Sequence, residues 1–133
     1  MIQKACPIAL HPDGAPQRIA AFVHPLAGTQ LVKGTIEPDE PPAKAAAREL
    51  FEESGLETNS AILIGDSAHI VQGQIWHFAL CRVVQPVRDH WQHHCQDDGG
   101  HLFRFFWHPL GTPTPDFSTP FQNALTWIDA HLR

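Results

Sequence analysis

The sequence predicts an α/β or α+β domain, and three observations carry that prediction. Short apolar runs separated by turn residues recur along the chain as strand candidates. Two segments have helical character instead, one rich in strong helix formers and one with apolar residues at helical spacing. The chain has 133 residues, 43% of them apolar, which suits one domain over residues 1–133 with its own core. No period of 20–50 residues repeats, so a solenoid is excluded. The alternation does not fix whether strands run parallel or antiparallel.

In chain order, residues 4–10 (KACPIAL) and 18–23 (RIAAFV) read as strands, joined by the turn signal HPDGAP. Residues 28–32 read as a further short strand ending at Lys33-Gly34. The prolines of TIEPDEPP argue against a helix through that stretch. Residues 43–54 (AKAAARELFEES) form a helix, with Pro41 and Pro42 suited to its start and Gly55 to its stop. Ala46, Ala47, Leu50 and Phe51 give this helix an apolar side, with Glu49, Glu52 and Glu53 opposite or flanking it. Apolar runs follow at 61–64 and 68–71, then the longest strand candidate at 74–84. Residues 85–101 read as a polar, His-rich surface loop, long enough to be functional. Residues 102–110 are an aromatic strand in which Phe103 and Phe105 share a face and Phe106 takes the other. Trp76 and Phe78 share a face in the same way. After a Pro-rich linker, Phe121, Leu125, Ile128 and Leu132 mark a packing helix over 121–132.

Lys plus Arg is 9 and Asp plus Glu is 14, a formal charge of -5. There is no cationic surplus to neutralise a nucleic-acid backbone, so nucleic-acid binding is disfavoured. A smaller phosphate compound would need metal ions as counter-charge. Three widely spaced cysteines without a CxxC argue against a disulfide framework and for a reducing compartment. The N-terminal stretch is a poor signal peptide and no 18-residue apolar run exists, so no membrane association is expected and cytoplasm is the expected location.

Half of the acids, seven of 14, lie between Glu37 and Glu57. On a helix, Glu49 converges with Glu52 and Glu53, and Arg48 is four residues from Glu52 and can pair with it. Three carboxylates so close repel one another, and in a cleft a hard divalent cation such as Mg²⁺ or Mn²⁺ would resolve the repulsion. Glycine at 34 would let backbone approach the same ions. Such a centre suits attack by water on a phosphoanhydride, with ions offsetting phosphate charge and lowering the pKa of bound water.

The pattern G-x5-E-x7-R-E-L-x-E-E-x-G-L, filled at Gly34, Glu40, Arg48, Glu49, Leu50, Glu52, Glu53, Gly55 and Leu56, resembles the signature of the Nudix hydrolases. It covers residues 34–56. The resemblance implies an α/β/α sandwich with a mixed, mostly antiparallel curved sheet. It implies Mg²⁺- or Mn²⁺-dependent cleavage of a nucleoside diphosphate linked to another moiety, and it is compatible with a homodimer. Carried over by position, Glu52 and Glu53 are principal metal ligands. Glu49 is a further ligand or orients the water, and the Gly34 carbonyl is a backbone ligand. Arg48 holds the carboxylates through a pair with Glu37 or Glu52, and Glu40 fixes the loop or binds through water rather than as a primary ligand. Val32-Lys33 departs from the Pro-Gly that often precedes the first glycine, and Lys33 is a candidate for substrate phosphate.

Outside this box the substrate is not legible. The chain has no tyrosine, no proline in the 69–72 region and no SQPWPFPxS run, which lowers several substrate classes. The catalytic base is either Glu49 or the loop pair Asp97 and Asp98. Trp91 is a candidate for stacking on a base. His90, His93, His94, Cys95 and His101 are zinc-ligand types, but their spacing matches no common site. The competing reading is a catalytically weak or inactive module that keeps the box and binds or senses a nucleotide.

Overall fold

A computed structural model describes residues 1–96 and 99–132 of the chain. Its architecture follows from strands that bury side chains on both faces. In β1 (Ile2–Ala9), Ala5 and Ala9 point to one side, while Cys6 and Ile8 point to the other. The same alternation holds in β2 (Arg18–His24), β6 (Gln74–Val83) and β8 (His101–Pro109). A strand apolar on both faces needs a cover on each side. Helix α1 (Pro42–Ser54) supplies one through Ala45, Ala46 and Leu50. Helix α2 (Thr119–His131) supplies the other through Phe121, Ala124, Leu125 and Ile128.

The strands form two four-stranded sheets. One has the order β4-β1-β6-β5, with β4 at Gly34–Thr35 and β5 at Thr58–Ser67. The other has the order β3-β2-β8-β7, with β3 at Gly28–Gln30 and β7 at Trp91–Cys95. Among the strands of the described residues, β1 and β6 are the pair that runs in parallel, from Ile2 opposite Gln74 to Ala9 opposite Cys81. The other five strand pairs are antiparallel. The mixed, mostly antiparallel sandwich is therefore present, but divided between two sheets, which touch through a bridge between Leu10 and Ile19.

Several local expectations are corrected. The His-rich stretch 85–101 is not one surface loop, because residues 91–95 form β7 and pair with β8 from Trp91 opposite Phe105 to Cys95 opposite His101. The apolar run 68–71 is not a strand; Ile70 is buried against the α2 side of the core, and its carbonyl accepts a hydrogen bond from Asn123 Nδ2 at 3.2 Å. Phe51 is 53% exposed, whereas Ala45 and Glu49 are buried. The buried stripe of α1 thus runs through 45, 46, 49, 50 and 54 rather than through Phe51. Among the described residues, no helix is long and apolar enough to cross a membrane.

Helix α1 begins at Pro42, whose missing N–H is no loss in a first turn. It ends at Gly55, which takes φ 78° and donates its N–H to the Phe51 carbonyl at 2.9 Å. A left-handed residue here favours glycine. The orientation of α1 gives a direct test. Leu50→Ala should destabilise the protein by about 2–5 kcal/mol, whereas Phe51→Ala should stay within about 0.5 kcal/mol. Denaturant unfolding of both variants checks this; equal losses would mean the helix is rotated from the position described.

Candidate active site

The sequence between β4 and α1 folds back on itself because Glu40 closes the loop. Its Oε1 accepts from the Glu37 backbone N–H at 3.0 Å, and its own N–H donates to the Glu37 carbonyl at 3.1 Å. The folded loop places Glu40 opposite Arg48, eight residues on. Arg48 then donates to both Glu40 oxygens, Nε to Oε2 at 2.7 Å and Nη2 to Oε1 at 2.9 Å. Nη2 also donates to the Thr35 carbonyl at 3.2 Å, tying the helix to β4. Nη1 donates to Glu49 at 2.8 Å and to Glu52 at 3.3 Å, and Glu37 stands 4.0 Å away. The pairing expected with Glu37 or Glu52 is therefore secondary. The bidentate partner is Glu40, since the fork of a guanidinium fits one carboxylate best and the loop delivers that one.

Glu49 comes next inward. The close packing of α1 on β1 and β4 brings its carboxylate over Gly34, so closely that a β-carbon at position 34 would overlap it. A side chain at 34 would thus displace the Glu49 carboxylate from this position. Burial pushes the Glu49 carboxyl above its usual range, although hydrogen bonds from Glu53 and Arg48 oppose the shift. Two carboxyl groups within hydrogen-bond reach hold together around a shared proton or around a cation. The hydrogen bond from Arg48 pulls Glu40 the other way, down to about 2. Arg48 itself is held firmly charged by Glu40.

These groups line a cleft of about 750 Å³, within the range of pockets that take cofactor-sized ligands. Glu49, Glu52, Glu53, Arg48, Glu37 and Gly34 form one part of it, and Lys33 lines it as well. Lys4 on β1 joins them, its Nζ donating to Thr35 Oγ1 at 2.8 Å. Burial and the nearby Lys33 lower the Lys4 pKa, against the pull of Glu49 and Glu53. The far wall is made by His24, Gln30, Cys95, His101 and Phe103. Lys4 and His24 are set apart from the box in sequence and Gln30 lies just before it; no local pattern marks them, because strand pairing brings them here.

The oxygen donors suit a hard cation in type. As arranged, Arg48 bridges Glu49 and Glu52, and among the described residues no three acids, histidines or cysteines stand around a common point. Asp97 and Asp98 lie outside the described residues. Trp91 does not line the cleft. Its ring stacks on Phe105 at 5.0 Å and its indole N–H donates to the Ser54 carbonyl at 2.9 Å, so its polar edge is engaged by α1. The His-rich run is likewise dispersed. His93 reaches the Glu52 carbonyl, while its neighbour His94 projects from the opposite face of β7 and packs near Gly100.

The opposed shifts of Glu40 and Glu49 give opposite signs of stability. The folded chain holds Glu40 below its ordinary 4.5, so the pair with Arg48 contributes fully above that pH and is lost as pH falls towards about 2. Glu40→Gln should therefore cost about 1–3 kcal/mol at pH 7, a gap that closes below pH 4.5. The folded chain holds Glu49 above its ordinary value, so its contribution is present at acid pH and lost as pH rises through the folded pKa. Glu49→Gln should therefore melt higher than the parent at pH 7.5 in chelator and converge with it in acid. Melting curves across pH check both signs; a fall for Glu49→Gln at pH 7.5 would contradict the burial argument.

The family model of the NUDIX domain matches residues 16–128. A Nudix hydrolase family member from Chromobacterium violaceum superposes with a TM-score of 0.70 at 21% identity, covering 98% of this chain and 77% of that one. An ADP compounds hydrolase gives a TM-score of 0.69 at 18% identity, covering 98% and 72%. A MutT NUDIX hydrolase from Burkholderia pseudomallei gives 0.61 at 18% identity, covering 94% and 95%. At these identities the likeness is one of fold. Among curated proteins nothing matches the sequence. The match to the family model spans most of the chain and includes the whole acidic motif: the chain belongs to the Nudix family of pyrophosphohydrolases.

Proposed function

We propose that the cleft hydrolyses a phosphoanhydride bond in a nucleoside diphosphate linked to another moiety, with Mg²⁺ or Mn²⁺ as cofactor. The observation that carries this reading is the buried Glu49 carboxylate, seated against Gly34 inside a cleft that also holds Glu52, Glu53 and two lysines. The name of one structural neighbour, an ADP compounds hydrolase, points to the same substrate class.

Glu52, Glu53, Glu49 and the Gly34 carbonyl would hold the ions. When bound, divalent ions offset phosphate charge and lower the pKa of water. The remaining work falls to side chains of the chain. Lys4 and Lys33 face the phosphates and add positive charge from β1 and the β3–β4 connection. Arg48 keeps the acids in register and, through Glu40, keeps the loop closed over the helix. Glu49 or the Asp97–Asp98 pair takes the proton from the attacking water. The leaving group is itself a phosphate, so strong acid catalysis is not required. The three cysteines are buried thiols, which suits a reducing compartment such as cytoplasm.

One observation favours the competing reading of a nucleotide-binding module: Arg48 stands between Glu49 and Glu52, where an ion would have to enter. A substrate panel decides between them. ADP-ribose, sugar nucleotides, dinucleoside polyphosphates, capped RNA fragments and nucleoside triphosphates, including oxidised ones, would be incubated with Mg²⁺ or Mn²⁺. Release of phosphate or nucleoside monophosphate would be followed. At least one compound should turn over, cease to do so in chelator, and fall by about 10²–10³-fold with Glu52→Gln or Glu53→Gln. Metal-dependent binding of the panel without turnover would establish the binding module instead.

A further inference from the structure

Three carboxylates crowd the C-terminal half of α1, and this is the end of a helix that tolerates them worst. The partial negative charge of the helix C-terminus disfavours Glu52 and Glu53 in the last turn. The turn itself has no basic residue, and it is Arg48, one turn back, that reaches Glu52 from the same helix. The last four carbonyls of a helix also lack partners within it, so that turn frays unless something outside holds it. In α1 those carbonyls belong to residues 51–54, and those of Phe51, Glu52 and Ser54 have donors that can be named. The Gly55 N–H takes Phe51 O at 2.9 Å, His93 Nε2 reaches Glu52 O at 3.1 Å, and Trp91 Nε1 donates to Ser54 O at 2.9 Å.

Two of these three donors come from β7. A carbonyl can only accept, so His93 carries its proton on Nε2. Its Nδ1 edge lies over Gly55, where an added β-carbon would come within 3.0 Å. Glycine at 55 therefore serves two ends, a left-handed turn and a seat for the imidazole. Trp91 is fixed in turn by its stack on Phe105, at an interplanar angle of 10°, and by Trp107 at 5.5 Å. The brace is thus anchored in the aromatic core of β8, not in a mobile loop.

We propose that His93 and Trp91 are positioning residues for the acidic cluster. By holding the Glu52 and Ser54 carbonyls they fix the last turn of α1, and with it the placing of Glu52 and Glu53 relative to Glu49. This rests on the metal reading above, since the cluster needs that register to bind an ion. Loss of either donor lets the last turn fray, which moves two of the proposed ligands while Glu49, one turn back, stays under Arg48.

The test is binding of Mn²⁺ alone, followed by the paramagnetic resonance of the free ion, beside melting curves and amide exchange of α1 in chelator. His93→Ala and Trp91→Phe should each weaken Mn²⁺ binding about tenfold or more, the scale seen when hydrogen-bond partners of metal ligands are lost. Amides near the end of α1 should exchange faster in both. His93→Gln, whose amide can donate at similar reach, should recover most of the affinity. Ile128→Val, in the opposite core, should lower the melting temperature and leave Mn²⁺ binding unchanged. Unchanged binding in His93→Ala and Trp91→Phe, beside a parent that binds, would overturn this proposal alone. So would affinity that merely follows melting temperature across all the variants. A parent that does not bind Mn²⁺ would overturn the metal reading and this inference with it.

Discussion

The guanidinium of Arg48 is the interaction on which the site depends. It touches Glu40, Glu49 and Glu52 and stands within 4.0 Å of Glu37, gathering acids that would otherwise repel one another. A lysine could offset charge but not geometry. Only a planar fork can take both oxygens of Glu40 while its remaining nitrogen reaches along the helix. The same group also takes the Thr35 carbonyl, so the loop, β4 and α1 become one unit through a single side chain. The downward shift of Glu40 comes from that fork, whereas the upward shift of Glu49 comes from its burial and is opposed by the same guanidinium.

That burial has its origin in small side chains. Helix α1 meets the sheet through Ala45 and Ala46, against Ala5, Ala9 and Ala79. Alanine on both sides lets the helix lie close, and a close helix presses the next inward residue, Glu49, onto Gly34. Larger residues fill the space beyond, with Leu50 above and the row Phe103, Phe105 and Trp107 behind. The stacked rings of Phe22 and Phe103, 4.4 Å apart, continue that row to the far wall of the cleft. The core and the site are therefore built from the same contacts. The α2 side, with its own cluster around Trp76, Phe78 and Phe121, covers the opposite face and adds none of the residues that line the cleft.

The sequence made α1, the strands 18–23, 74–84 and 102–110, and the acidic constellation legible, because each is written in local spacing. Phe103 with Phe105, and Trp76 with Phe78, fall on shared faces as a period of two requires. What was not legible depends on pairing between distant segments. Glu40 as the chief partner of Arg48 needs the loop to turn back, and Lys4 in the cleft needs β1 beside β4. Trp91 and the histidines around it read as a polar loop, because a strand whose polar edges serve a helix end looks the same in sequence as one facing solvent. The division into two sheets is equally hidden, since nothing local distinguishes a strand that joins β1 from one that joins β2. Phe51 was misplaced for a different reason: the buried stripe includes a carboxylate, and hydrophobicity alone rotates the helix the wrong way.

The parallel pairing of β1 with β6 has a temporal consequence. Residues 2–9 find their parallel partners in residues 74–81, and residues 18–23 pair with 104–109, while their nearer antiparallel partners, β4 and β3, are only two and three residues long. A chain made from its N-terminus therefore has α1 in hand well before either sheet can close. At 13 residues the helix is too short to persist in isolation. Its acids wait in solvent until β6 arrives beneath them and β7 arrives behind. Long-range pairings must close large loops before they are rewarded, which slows such folds. The cleft is accordingly complete only when those long-range pairings have closed, although the motif that identifies the family is local in sequence.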